Sequence, residues 1–402
     1  MIFFSEEYIV GMVMGSVIFW AVVPSQLRIP FIALTSTLSV GLIQPVFTGI
    51  LIVLIAFVYF GTVQIQKGGK LAWVFSIILV IAATLLLGKY MLVYFAPIAS
   101  AGGFEQNYII PLGISYLTIK MIDFVISVKQ GSIKQINFTS FLAYITFLPT
   151  FSAGPIERYA KFTEDAKQAF IVKRYFTGFQ RIIIGFFKKV VLVDGILDSL
   201  LLGKVKPYIV AHAVWKDVPP EAAFAFIFLS LLYAYLDLSA YADIAIGLGQ
   251  LYGFQTCENM DYPLSSQNIS EFWKRWHISL SMWCRNNVYF PILGLTRSNT
   301  MGIYAAFVIM GLWHFVSIKF IIWGLWQATG IVIYSWWTKN IKKRLAKTLS
   351  VPPLAGKMMG ISLTVTFAAF GYSFMMADSL DQAFQILRGA LFLNRPLFDM
   401  VL

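Results

Sequence analysis

Three histidines occur in the 402-residue chain, and two of them, His277 and His314, stand in strongly apolar surroundings. His277 follows Trp273 and Trp276 and precedes Leu280 and Trp283, while His314 follows Trp313 in an uncharged run from Met301 to Ile318. Imidazole is the side chain whose unperturbed pKa lies nearest neutrality, so it can take up and return a proton at physiological pH. An ionisable group in apolar, membrane-like surroundings needs a polar partner or a watery cavity, and it marks a functional position by default. A lone histidine on an aromatic face is more often a satisfied core residue. Two such histidines in so histidine-poor a chain shift the balance towards chemistry. Cys257 and Cys284 match no metal-ligand or redox spacing and read as inert packing residues. No metal and no bound cofactor are expected.

The elements that must position these side chains are set by composition. Hydrophobic residues make up 58% of the chain, charged residues 12%, and the mean hydropathy is +0.75, values outside the range of soluble globular domains. Uncharged runs at Ile29 to Gln66, Leu71 to Leu87, Met301 to Ile318, Phe320 to Thr338 and Met358 to Ala377 approach or exceed the roughly 20 residues that a spanning helix needs. The alternating segments of a transmembrane barrel are missing from this pattern, so the expected fold is all-α, a multi-pass transmembrane bundle of about ten to twelve helices, some broken or re-entrant. The net charge of +12 sits in short connecting segments, most densely from Lys339 to Lys347. That distribution reads as a cytoplasmic loop beside membrane lipid, with no nucleic-acid partner expected. The opening MIFFSEEYIV carries Glu6 and Glu7 and no early Lys or Arg, so its helix is expected to stay uncleaved.

Along the chain, a first helix is expected from about Tyr8 to Leu27, and Gln44-Pro45 splits the next run in two. Lys67-Gly-Gly-Lys70 reads as a polar turn, and residues 106 to 119 are too short an apolar stretch to span comfortably. After Phe138 a helical run ends in Pro149, Gly154 and Pro155. From Glu157 to Lys189 charged and apolar residues alternate as in an interfacial segment. Asp237 and Asp243 lie within or beside a span and call for cationic partners, for which Lys274, Arg275 and Arg285 are the expected choices. Asn268 and Glu271 form a capping-box pattern that starts a helix expected to run through Trp283, with Trp273, His277, Leu280 and Cys284 on one face. Gly247-Leu-Gly249 lacks the preceding strand of a nucleotide loop.

GPIERYAKF, LDLSAYADIAIGLGQLYGFQTCENMDYPL, the FWKRWHISLSMW block, GLWH with the FIIWGLW that follows it, and the closing FGYSFMMADSLDQAFQILRGALF come in the order of the motifs of a known family. From Phe147 to Leu393 the chain resembles the membrane-bound O-acyltransferases (MBOAT), and within them the bacterial alginate O-acetyltransferase group. The resemblance implies one transmembrane domain over residues 1–402, with variable helices at 1–135, a motif-bearing catalytic core at 136–338, and a cytoplasmic basic loop, last span and C-terminal segment at 339–402. It also implies a tunnel through a bacterial cytoplasmic membrane. The histidine of the family's GLWH motif, taken as catalytic, falls on His314, and the second polar position falls on His277.

Acyl transfer from a thioester to a hydroxyl needs a base and donors for the oxyanion. His314 is the expected base, and His277 or an indole N–H such as that of Trp313 the expected donor. Trp273, Asp243, Arg275 and Arg285 are the expected supporting or substrate-binding residues. No serine or cysteine elbow accompanies the histidines, so direct transfer is expected over a covalent acyl-enzyme. The resemblance implies acetyl-CoA, or another acyl thioester, as donor. The expected acceptor is an extracytoplasmic polysaccharide or an exported partner transferase. Alternatives are D-alanyl transfer from a carrier protein towards teichoic acids and, more distantly, a transporter, which would be expected to show paired broken helices in two repeats. A second acyltransferase-like spacing, His212 to Asp217, lies in a short loop ending in Pro219-Pro220.

Overall fold

The computed structural model describes residues 6–69, 71–94, 113–213, 218–342, 344 and 352–391. The described residues are helical or connecting, in line with the all-α expectation. Six of their helices are long and apolar enough to cross a membrane: Ser25–Ile43, Phe47–Gln66, Leu71–Lys89, Pro220–Leu251, Ile318–Lys342 and Pro353–Met376. The chain divides into two compact units, Met1–Ile184 with Ala242–Cys257, and Gly185–Tyr241 with Glu258–Leu402.

The first unit opens with α1 (Glu6–Ala21), which stops short of the expected Leu27 because Pro24 precedes a separate 3-10 turn, Ser25–Leu27. α2 (Arg28–Ile43) ends one residue before Gln44, and α3 (Pro45–Gln66) starts on the proline, whose missing N–H is harmless in a first turn. Gly68, at φ 92°, closes α3: its neighbour Gly69 donates to the Gln64 carbonyl at 2.9 Å, a reversal that left-handed glycine makes easily. α4 (Leu71–Tyr94), α5 (Ile114–Lys129), α6 (Phe138–Thr146), α7 (Tyr159–Asp165) and α8 (Val172–Phe186) follow. The expectations for Pro97 and Gly102-Gly103, and most of that for 106–119, fall outside the described residues. Phe124 stacks on Phe141 at 4.3 Å and Phe162 on Phe254 at 4.7 Å, so aromatic rings supply much of this core. Glu157 and Asp165 receive the backbone N–H groups of Cys257 and Gln255, at 3.0 and 2.9 Å, fastening the Gln255–Cys257 segment.

The second unit starts at Gly185, in the last turn of α8, and continues through a π-helix, Phe187–Val205, α9 (Lys206–Ala213) and α10 (Pro220–Leu251), of which 220–241 belong here. Two seven-residue helices, α11 (Ile269–Arg275) and α12 (Ile278–Cys284), then a π-turn and α13 (Phe290–Thr296), lead into α14 (Asn299–His314) and α15 (Ile318–Trp337). α16 (Pro353–Met376) and α17 (Leu380–Ala390) close it. The uncharged run expected to continue to Ile318 breaks at His314: Phe315 turns extended at φ −162° and α15 doubles back from Ser317. α14 and α15 meet through glycine, since a Cβ on Gly311 would collide with the Phe320 carbonyl and one on Gly324 with that of Phe307.

Candidate active site

One cavity of the second unit, about 240 Å³, is lined by both histidines. Tyr233, Asp237, Trp273, Trp276, Leu280, Met310, Trp323, Tyr372 and Met375 are among the other residues of its wall. Its size lies just below the usual range for ligand clefts, roughly 300–1,000 Å³, room for the reacting end of a substrate more than for a whole one.

His277 owes its position to a broken helix. Asn268 caps α11 by accepting from the Glu271 N–H at 2.9 Å, and the Glu271 carboxylate accepts from the N–H of Gln267, one residue before the cap, at 3.0 Å. The single helix expected through Trp283 does not form. Trp276 is extended and His277 is left-handed, φ 43° and ψ 53°. The physical reason is competition from the preceding segment. Asp261 N–H donates to the Arg275 carbonyl at 2.9 Å, Ile278 N–H to the Asn259 carbonyl at 2.9 Å, and Asn259 Oδ1 receives both the N–H and the hydroxyl of Ser279 at 3.2 and 2.9 Å. Backbone groups that would continue the ladder are engaged elsewhere, and the chain kinks at the histidine.

His314 ends α14 and is part-exposed, whereas His277 is buried at 2% exposure. The Trp313 ring lies edge-on to both imidazoles, with centroids at 4.8 Å from His314 and 6.1 Å from His277. Trp323 is perpendicular to His314 at 5.4 Å, and its own indole N–H is buried with no hydrogen-bond partner. Trp273 donates to Gln327 Oε1 at 3.3 Å, and Trp276 stacks on Phe272 at 5.2 Å. His277 stands outside the spanning helices, and burial pulls its imidazolium down to about 4, which leaves the ring neutral at physiological pH.

The remaining expected site residues are placed elsewhere. Asp243 belongs to the first unit, where Arg181 Nε meets its Oδ1 at 2.8 Å. Arg275 pairs with Glu271 at 2.8 Å and donates to Ser265 Oγ, and Arg285 lies over the Phe290 ring at 5.2 Å. None of these three lines the cavity. The expected partners of the acids are corrected too: the structure gives Asp237 to Lys189, on the π-helix that precedes it, and Asp243 to Arg181. The side chain of His212 and residues 214–217 lie outside the described residues, so the second acyltransferase-like spacing has no structural account.

Asp237 is the lining residue that the sequence reading underrated. Its signal was present: Tyr233 and Asp237 are four apart, hence neighbours on one helical face. Asp243, six positions on, is turned by about 240° at roughly 100° per residue, so the two carboxylates point in different directions.

Sequence comparison decides the family. A family description, "MBOAT, membrane-bound O-acyltransferase family", matches residues 31–370. The chain belongs to the membrane-bound O-acyltransferase family. It is accordingly a multi-pass membrane protein of a family of acyltransferases. The chain is similar to the teichoic acid D-alanyltransferase of Bacillus subtilis (29% identical over 285 residues, 66% of this chain and 69% of that protein). It is also similar to the probable alginate O-acetylase of Pseudomonas aeruginosa (32% over 217 residues, 52% of this chain and 39% of the relative). The peptidoglycan O-acetyltransferase of Helicobacter pylori matches at 27% over 327 residues, 72% of this chain and 58% of that protein.

Proposed function

We propose that this MBOAT protein moves an acyl group, acetyl from cytoplasmic acetyl-CoA, towards hydroxyls of an extracytoplasmic polysaccharide, directly or through an exported partner transferase. The observation that carries the reading is the shared cavity of His277 and His314, two proton-handling groups in an aromatic wall. His314 takes the proton of the acceptor hydroxyl, and the negative end of the α14 dipole, in whose last turn it sits, stabilises the imidazolium that forms. The alkoxide attacks the thioester carbonyl, the C–S bond breaks, and the departing thiolate takes the proton back. Neutral His277, with indole N–H groups of the wall, supplies donors to the oxyanion. The relatives named above support polymer acceptors of the cell envelope.

The test is acetyl-CoA turnover by purified protein in lipid, comparing wild type with His314→Ala and His277→Ala at matched folding. His314→Ala is expected to lose at least the roughly 10²- to 10⁴-fold that positioned acid–base catalysis contributes, and His277→Ala is expected to be weakened less. Both variants keeping the wild-type rate would remove the site. The similarity to the Bacillus subtilis D-alanyltransferase sustains a second reading, D-alanyl transfer from a carrier protein. Wild type inert towards acetyl-CoA but active with an aminoacylated carrier would establish it.

A further inference from the structure

The mechanism above uses two imidazoles and leaves one charged side chain of the cavity without a task. Among the described lining residues Asp237 is the one acid, and no lysine or arginine stands beside it in the wall. A third of the Asp237 side chain is exposed, and Lys189 Nζ holds its Oδ1 at 2.8 Å.

That grip is built into the helix before it. In a π-helix residues five apart stand over one another, and Asp194, five after Lys189, meets the same ammonium at 2.8 Å. The adjacent Lys188 donates to Ser239 Oγ at 2.8 Å, so consecutive lysines hold α10 at two points and fix its rotation. Asp194 is the more exposed of the two carboxylates, at 46% against 33%. One ammonium is shared between them, and it holds Asp237 in place without cancelling the charge of both acids. What Asp237 offers the cavity is a hydrogen-bond acceptor held in place and partly neutralised by Lys189. Such a group accepts a hydrogen bond from a hydroxyl. The rings of Trp273, Trp276 and Tyr372 that share the wall suit the apolar face of a sugar ring.

We propose that Asp237 is the acceptor-binding residue. It accepts a hydrogen bond from a hydroxyl of a carbohydrate acceptor and holds a neighbouring hydroxyl towards His314, with Lys189 as its positioning residue. The inference rests on the acyl-transfer reading above and adds the residue that holds the acceptor.

The experiment uses the full chain in lipid, acetyl-CoA as donor, and neutral β-linked gluco-, manno- and xylo-oligosaccharides as acceptor probes. CoA release is followed with and without acceptor, and transfer by mass of the sugar. Asp237→Ala is expected to raise the acceptor KM about ten- to hundredfold, the worth of a hydrogen bond to a charged group, and to lower CoA release without acceptor by a smaller factor. Asp237→Asn keeps a carbonyl acceptor and is expected to lose less. It also decides the matter if the alanine variant fails to fold. An unchanged acceptor KM in Asp237→Asn and in any folded Asp237→Ala overturns the proposal. So does an equal fall of CoA release with and without sugar, which would put Asp237 on the donor side. Wild type that releases CoA but acylates none of the sugars overturns the carbohydrate assignment alone. Wild type that releases no CoA overturns the acyl-transfer reading and this one together.

Discussion

His277 concentrates the residue-scale consequences. A non-glycine residue in the left-handed region costs of order 1–3 kcal/mol, and such strain persists only where surrounding contacts over-determine it. Here Asn259 does so, through its carbonyl to Ile278 and its side chain to Ser279. The buried ring also has a thermodynamic signature. Its folded value near 4 lies below the 6.5 of an unperturbed histidine, so between those pH values the unfolded chain binds a proton that the folded chain refuses. Stability is therefore expected to fall as pH drops from 6.5 to about 4, and His277→Asn to lose less across the same window. Thermal unfolding of both proteins in detergent through that range checks this, and parallel curves would mean that the ring is not buried uncharged.

The element on which the site depends most directly is the hairpin of α14 and α15. His314 sits at its bend, and Trp323, one residue before Gly324, faces the imidazole. The two glycines let the helices approach until backbone meets backbone, so a side chain at either position must push the pair apart. Gly324→Val is expected to abolish turnover and to lower the unfolding temperature. Gly294→Ala, where a Cβ would meet nothing within 4 Å, is expected to be close to neutral. Equal behaviour of the two variants would show that the close approach does not hold the site. At the same scale, α11 and α12 explain a misreading. Their residues satisfy a helical pattern from Asn268 to Trp283, and only Asn259 and Asp261, distant in the pattern, interrupt it.

At the scale of the molecule, the six candidate spans among the described residues and a basic segment after α15 set an orientation. Lys339 and Lys342 follow the last turn of that helix directly. By the positive-inside rule they belong in the cytoplasm. A cysteine placed at Lys342, in a chain whose Cys257 and Cys284 are changed to serine, is expected to react with a membrane-impermeant maleimide only after the cells are opened. Labelling of intact cells would invert the topology and, with it, the side from which the donor arrives.

How much of this was legible in the sequence follows from the range of the forces involved. Hydropathy is summed over consecutive residues, so the all-helical membrane character, the break at Gln44-Pro45 and the cap at Asn268 could be read from neighbours alone. The two histidines were visible because an ionisable group in an apolar stretch is conspicuous whatever surrounds it. Partner choice was different. Lys274, Arg275 and Arg285, in the segment that follows the acids, were the expected partners, yet Lys189 and Arg181, 48 and 62 positions before the acids they bind, are the ones that meet them. Which of two carboxylates faces the cavity depended on helix rotation, and the kink at His277 on a segment that pairs across it. These are outcomes of long-range packing, in which a side chain's partner is fixed by where its helix is turned and what is laid against it, and only the tertiary structure decides them.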